Sequence, residues 1–111
     1  MLNLLKFRET ADYTASPELA PDEAISGKDA YRAYARHAFP LLERVGSKVI
    51  FRGKCGAALI GPEAEKWDEI LLVEHESAEQ FIAFAQDPDY LKIAGHRTAA
   101  LVDSRLVPVS T

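Results

Sequence analysis

The run Trp67-Asp68-Glu69-Ile70-Leu71-Leu72-Val73-Glu74-His75 sets apolar residues side by side where a strand with one wet face would alternate them with polar ones. Successive strand side chains point to opposite faces, so Ile70 and Leu72 line one side of a sheet and Leu71 and Val73 the other. The pattern predicts a central strand that needs cover on both faces. The opening Leu2-Asn3-Leu4-Leu5-Lys6-Phe7-Arg8 is built alike, with Leu2 and Leu4 on one parity and Leu5 and Phe7 on the other. It is expected to lie beside the Trp67 strand.

Between these two runs the period changes. Tyr31, Tyr34, Ala35, Ala38, Leu41, Leu42 and Val45 recur at three- and four-residue spacing, the stripe of a helix that starts at Ser26 or Gly27 and is closed by Gly46. Pro40 lies inside it and is expected to kink its last turns. A second strand is expected from Lys48 through Gly53-Lys54-Cys55-Gly56 to Ile60, antiparallel to the Trp67 strand, and its glycines suggest a bulge or a close approach. Gly61-Pro62 turns the chain.

After the Trp67 strand, Ser77 with Gln80 three residues on forms a capping box, opening a helix with Phe81, Phe84 and Ala85 inward. Asp87-Pro88 restarts helical structure, with Tyr90, Ala94, Arg97 and Leu101 on one stripe. A last strand, Ser104 to Val109, contains Pro108, which places it at an edge or close to its own end. The segment Glu9 to Gly27 carries no period, and such long connections are either functional lids or merely mobile.

The order is βαββαβ with the second helix broken in two. It predicts a single α+β domain over residues 1–111: a ferredoxin-like, four-stranded antiparallel sheet with helices on one face. The opposite face would then be a large apolar patch, so a homodimer with the two sheets face to face is expected.

Composition narrows the function classes. The 111 residues are 48% hydrophobic and 27% charged, with net charge −4, so the chain folds and has no basic face for nucleic acid. The apolar start Met1 to Leu5 is too short for a signal segment or a membrane span, and a cytoplasmic location is the default. Cys55 stands alone, so neither disulfides nor a thiolate zinc site is expected, and the residue reads as a small, partly buried one beside glycines. The three histidines are scattered, and no metal or other cofactor is expected; a haem, which one histidine can hold, is the exception left open. No C-x-x-C, RNA-recognition signature, glycine-rich phosphate loop or G-x-S-x-G is present.

Candidate chemistry is sparse. Arg97 sits in the stripe of Tyr90, Ala94 and Leu101, and an inward arginine needs an anion. The plainer account is a structural ion pair with Asp68, Asp103 or Glu69, or a snorkelling stem. His96, His75 and His37 titrate close to neutrality, and His96 ranks first as a candidate catalytic group because it adjoins Arg97, although adjacent helix positions diverge by about 100°. Tyr31 and Tyr34 can offer hydroxyls to a ligand, but aromatics at this spacing are more often core. Asn3 is a polar residue in an apolar strand, and Asp68 could act as a base or orient Arg97.

The opening Met1 to Phe7, the Tyr31 and Tyr34 pair with Pro40 and Gly46, Ile60-Gly61-Pro62, Trp67-Asp68, and Asp87-Pro88-Asp89-Tyr90 followed by His96-Arg97 together resemble the dimeric α/β-barrel superfamily. In particular they resemble its uncharacterised DUF1330 branch, over nearly the whole chain, with the long Glu9 to Gly27 connection as the departure. The resemblance implies a pocket between sheet and helices of each subunit. Relatives include cofactor-free monooxygenases, lactone isomerases and haem-dependent enzymes, so any activity implied is monooxygenase-like or isomerase-like. Fold does not fix chemistry.

Two classes of function remain: a protein that binds or transforms a small anionic or aromatic metabolite, with Arg97 holding the anion, or a non-catalytic homodimeric structural or regulatory module. A pocket enclosing Arg97 without a carboxylate partner favours the first. A bidentate Arg97–Asp pair in a filled core favours the second.

Overall fold

In the computed structural model, which describes residues 1–110, strands β1 (Leu2–Phe7) and β3 (Glu69–Glu74) pair antiparallel, Leu2 opposite Leu72 and Leu4 opposite Ile70. β2 (Lys48–Lys54) flanks β3 and β4 (Leu101–Val107) flanks β1, so the antiparallel sheet runs β2-β3-β1-β4. The two pairings expected from the sequence, β1 with β3 and β2 with β3, are both present. Four α-helices complete an α+β fold: α1 (Gly27–Arg44), α2 (Ala78–Gln86), α3 (Pro88–Ile93) and α4 (Gly95–Ala100).

Directly opposed residues of a ladder share a face. Asn3, Leu5, Glu69, Leu71 and Val73 therefore turn to the same side, and all are buried. Two clusters pack there, one of Leu5, Ala30, Tyr31, Tyr34, Ala38, Ala100 and Leu101, the other of Leu42, Leu71, Val73 and Phe84. The opposite face carries Leu2, Leu4, Ile70 and Leu72, with Phe51 54% and Val107 41% exposed. Along its thinnest axis the molecule measures 18 Å, room for one sheet and one helical layer.

Local chemistry sets the helix ends. Ser26 caps α1 by accepting from the Asp29 N–H, and Gly46 at φ +84° closes it in the left-handed conformation that glycine adopts without strain. Pro40 lies inside α1. Ser77 caps α2 through the Gln80 N–H, and Asp87 caps α3 through the Asp89 N–H with Pro88 in the first turn.

Three boundaries differ from the sequence pattern. β2 ends at Lys54 and does not reach Ile60, because the Cys55 N–H to the Asp68 carbonyl is the last bond before β3 begins at Glu69. Ala57 to Ile60 thus find no partner strand, and the register shift lies between Val49 and Phe51, ahead of the glycines. The second helical stretch is broken twice, at Asp87 and again where α3 ends at Ile93 and α4 begins at Gly95, against which Ser16 and Leu19 pack. α4 then passes straight into β4, so Leu101 opens the strand, which stops just before Pro108 on the sheet's edge.

Three chain segments converge on Gly27. Its N–H donates to the Arg8 carbonyl at 3.0 Å, and the Arg8 N–H donates to the Ala100 carbonyl at 2.8 Å. A Cβ at this position would stand 2.3 Å from the Arg8 oxygen and 2.6 Å from that of Ala100. Both obstacles are backbone, so Gly27→Ala forfeits any gain in helix propensity and should lose roughly 1–3 kcal/mol of stability in urea unfolding. An unchanged midpoint would contradict this packing.

Candidate functional site

α1 presents Tyr31 and Tyr34 to the sheet one turn apart, their ring centroids separated by 5.2 Å. α3 adds Tyr90, whose hydroxyl lies 3.0 Å from that of Tyr34, and α4 adds Arg97. From below, β1 contributes Asn3, whose amide donates to the Leu71 carbonyl at 3.3 Å. These residues line a cavity of about 300 Å³ between sheet and helices, at the junction of the two core clusters. That volume suits a small molecule.

The cavity wall is mostly apolar and contains no Asp or Glu. Arg97 makes none of the ion pairs that a structural role would need. Asp68 accepts the Phe7 N–H at 2.7 Å, Glu69 holds Arg52 at 3.3 Å, and Asp103 holds Arg105 at 2.6 Å. Among the described residues, no carboxylate bridges to Arg97. Burial pushes the Tyr31 phenol up to about 12, with the Arg97 charge acting the other way, and raises that of Tyr34 through burial and then Tyr90. Both phenols stay protonated near neutrality and remain available as donors.

Four sequence candidates, Asn3, Tyr31, Tyr34 and Arg97, therefore come together. Asp68 stands apart, where it fastens β1 to β3: its N–H donates to the Leu5 carbonyl at 2.8 Å while its carboxylate caps Phe7. His96 also lies off the cavity. Its Nδ1 is 2.8 Å from the Tyr13 hydroxyl, and its ring stacks on His37 with centroids 5.8 Å apart. The long connection 9–26 is fastened to α4 by that contact and by the Asp12 N–H to the Ala99 carbonyl, and none of its residues lines the cavity.

The imidazole that does line it belongs to His75, with Nδ1 2.8 Å from the Ser47 hydroxyl. Strand parity was the available signal, since His75 follows Leu71 and Val73 on the helix-facing side; Ser47, far away in the chain, gave none. A wider groove of about 740 Å³ along α1, beside Arg36, is shallow, and its Arg32 and Arg52 already pair with Asp29 and Glu69. Among the described residues, no three His, Cys, Asp or Glu side chains are grouped to hold a metal, and no helix is long and apolar enough to cross a membrane.

Burial holds both His75 and His96 below the ordinary histidine value of 6.5, His96 further through His37 and Arg36. The unfolded chain then takes up protons first as pH falls, so their contribution is constant above about 6.5 and is lost as pH drops through the lowered native values. Wild-type melting temperature should fall between about pH 7.5 and about pH 5.5, and His75→Gln or His96→Gln should flatten that slope. Parallel slopes in all three proteins would refute it.

The profile of the family described as Domain of unknown function (DUF1330) matches residues 22–110. The chain is 38% identical to the RPA0582 protein of unknown function from Rhodopseudomonas palustris, whose crystal structure superposes with a TM-score of 0.83 over 99% of this chain and 81% of that one. The crystal structure of methylated RPA0582 gives 37% identity and a TM-score of 0.83 over 98% of this chain and 78% of the other. No curated protein matches.

Proposed function

Because the chain belongs to the DUF1330 family, whose description prescribes no chemistry, we propose a function from the cavity itself: the protein binds a small carboxylate with an apolar or aromatic body. The observation that carries this reading is Arg97, a permanent cation on a largely apolar, carboxylate-free wall with no ion-pair partner among the described residues. A ligand carboxylate would supply the missing anion in a bidentate fork, and the aromatic walls of Tyr31, Tyr34 and Phe84 would cover its body. The Tyr31 hydroxyl and Ser104 add donors, and His75, steadied by Ser47, is a neutral imidazole able to handle a proton.

Homodimerisation belongs to the same reading. The βαββαβ order with sheet order β2-β3-β1-β4 supports a ferredoxin-like arrangement, and the apolar residues on the sheet's far face support its closure against a second copy as a dimeric α/β barrel.

A thermal-shift panel of benzoate, phenylacetate and hexanoate, each beside its amide, tests the ligand reading. At least one acid should raise the melting temperature where its amide does not. Equal responses to every acid and amide would end the carboxylate assignment.

A further inference from the structure

Two features at opposite ends of the sheet complement each other. Between β2 and β3 the chain presents Ala57-Ala58-Leu59-Ile60 before Gly61 turns it, with Leu59 101% and Ile60 97% exposed. Two adjacent large aliphatics in full contact with water are a costly way to end a loop. The other end of the same strands holds an apolar cleft of about 470 Å³, lined by Ile50, Leu72, Phe81 and Val109 among others. That cleft shares Val73, His75 and Phe81 with the Arg97 cavity and opens beside it.

The two features cannot meet within one copy as folded, because the length of β3, about 16 Å at roughly 3.3 Å per residue, lies between them. Symmetry can bring them together. A two-fold axis lying between facing sheets and perpendicular to the strands reverses strand direction, which carries the arm of each copy over the cleft end of the other. Leu72 and Ile50 join the cleft to the apolar face of the sheet, so one continuous surface would be covered.

We propose that the Leu59–Ile60 arm of one copy inserts into the cleft of a second copy and closes the mouth of that copy's carboxylate pocket. The inference rests on the dimer reading above and deepens it: the partner contributes two residues to the site, and each cavity is complete only in the assembly. The charged remainder of the arm, Glu63 to Lys66, stays at the rim in solvent.

Cross-linking tests it in the full chain. In a Cys55→Ser background, Ile60→Cys and Ala78→Cys place single thiols on the arm and on the cleft wall, both exposed in the single chain. A short bismaleimide should convert the double variant to covalent dimer and leave each single variant monomeric on denaturing gels. Leu59→Asp with Ile60→Asp should weaken the dimer at least tenfold when light scattering is followed on dilution. A wild-type dimer that gives no link and keeps its affinity after the double aspartate change assigns the arm to some other occupant and overturns the inference, while the sheet-to-sheet dimer stands. A wild-type monomer at micromolar concentration removes both.

Discussion

Arg97→Met should fold as well as the wild type and lose its response to carboxylates. Among the described residues the guanidinium has no carboxylate partner to strand, so its removal leaves no buried charge behind. What disappears is the charge-assisted bond to the ligand, about 1.5–3 kcal/mol, or roughly 10- to 100-fold in affinity. Arg52→Met supplies the contrast. It would leave the buried Glu69 carboxylate, now 3.3 Å from Arg52, without its cation, and should cost roughly 3 kcal/mol of stability with the pocket's own cation still present. Comparing chemical denaturation with benzoate titration for the two variants separates the roles. An early-melting Arg97→Met that binds acids as before would make Arg97 structural and sink the ligand reading.

Leu72→Asp and Leu71→Asp, one residue apart, should fail in different ways. Leu71 is 4% exposed among Leu42, Val73 and Phe84, so a carboxylate there enters the core, costs roughly 3–5 kcal/mol and unfolds much of the population. Leu72 lies on the opposite face, across from Leu2 and Phe51. In a two-fold dimer the new charge appears twice in one interface, so association should weaken by roughly 4 kcal/mol, about a thousandfold, while the monomer stays folded. Light scattering and circular dichroism together decide. A Leu72→Asp protein still dimeric at wild-type concentration would place the interface elsewhere.

Much of this architecture could be read from residue order. Caps at Ser26, Ser77 and Asp87 announce themselves through partners two or three residues away, and the double-sided β3 follows from four consecutive apolar residues. The end of β2 could not be read so, because nothing local to Ala57 to Ile60 shows that β3 starts only at Glu69 and leaves them without a partner. Nor did sequence show that Ser16 and Leu19 would pack onto Gly95, or that His96 would meet Tyr13, a residue far from it in the chain. The site was half visible. Arg97 stood out as a charge in an apolar stripe, whereas only the fold shows Asp68, Glu69 and Asp103 engaged with Phe7, Arg52 and Arg105 instead.

The sheet order also bears on how the protein is made. β1 sits between β3 and β4, so during synthesis it emerges from the ribosome well before either neighbour exists to pair with it. Leu2, Leu4, Leu5 and Phe7 must wait unpaired until β3 has been made, and the second edge of β1 until β4 follows, so the long sequence separations of both pairings make closure of the sheet late. A ribosome stalled before β4 would therefore carry a chain with no finished sheet, open to chaperones and proteases until Ala100 delivers its carbonyl to Arg8.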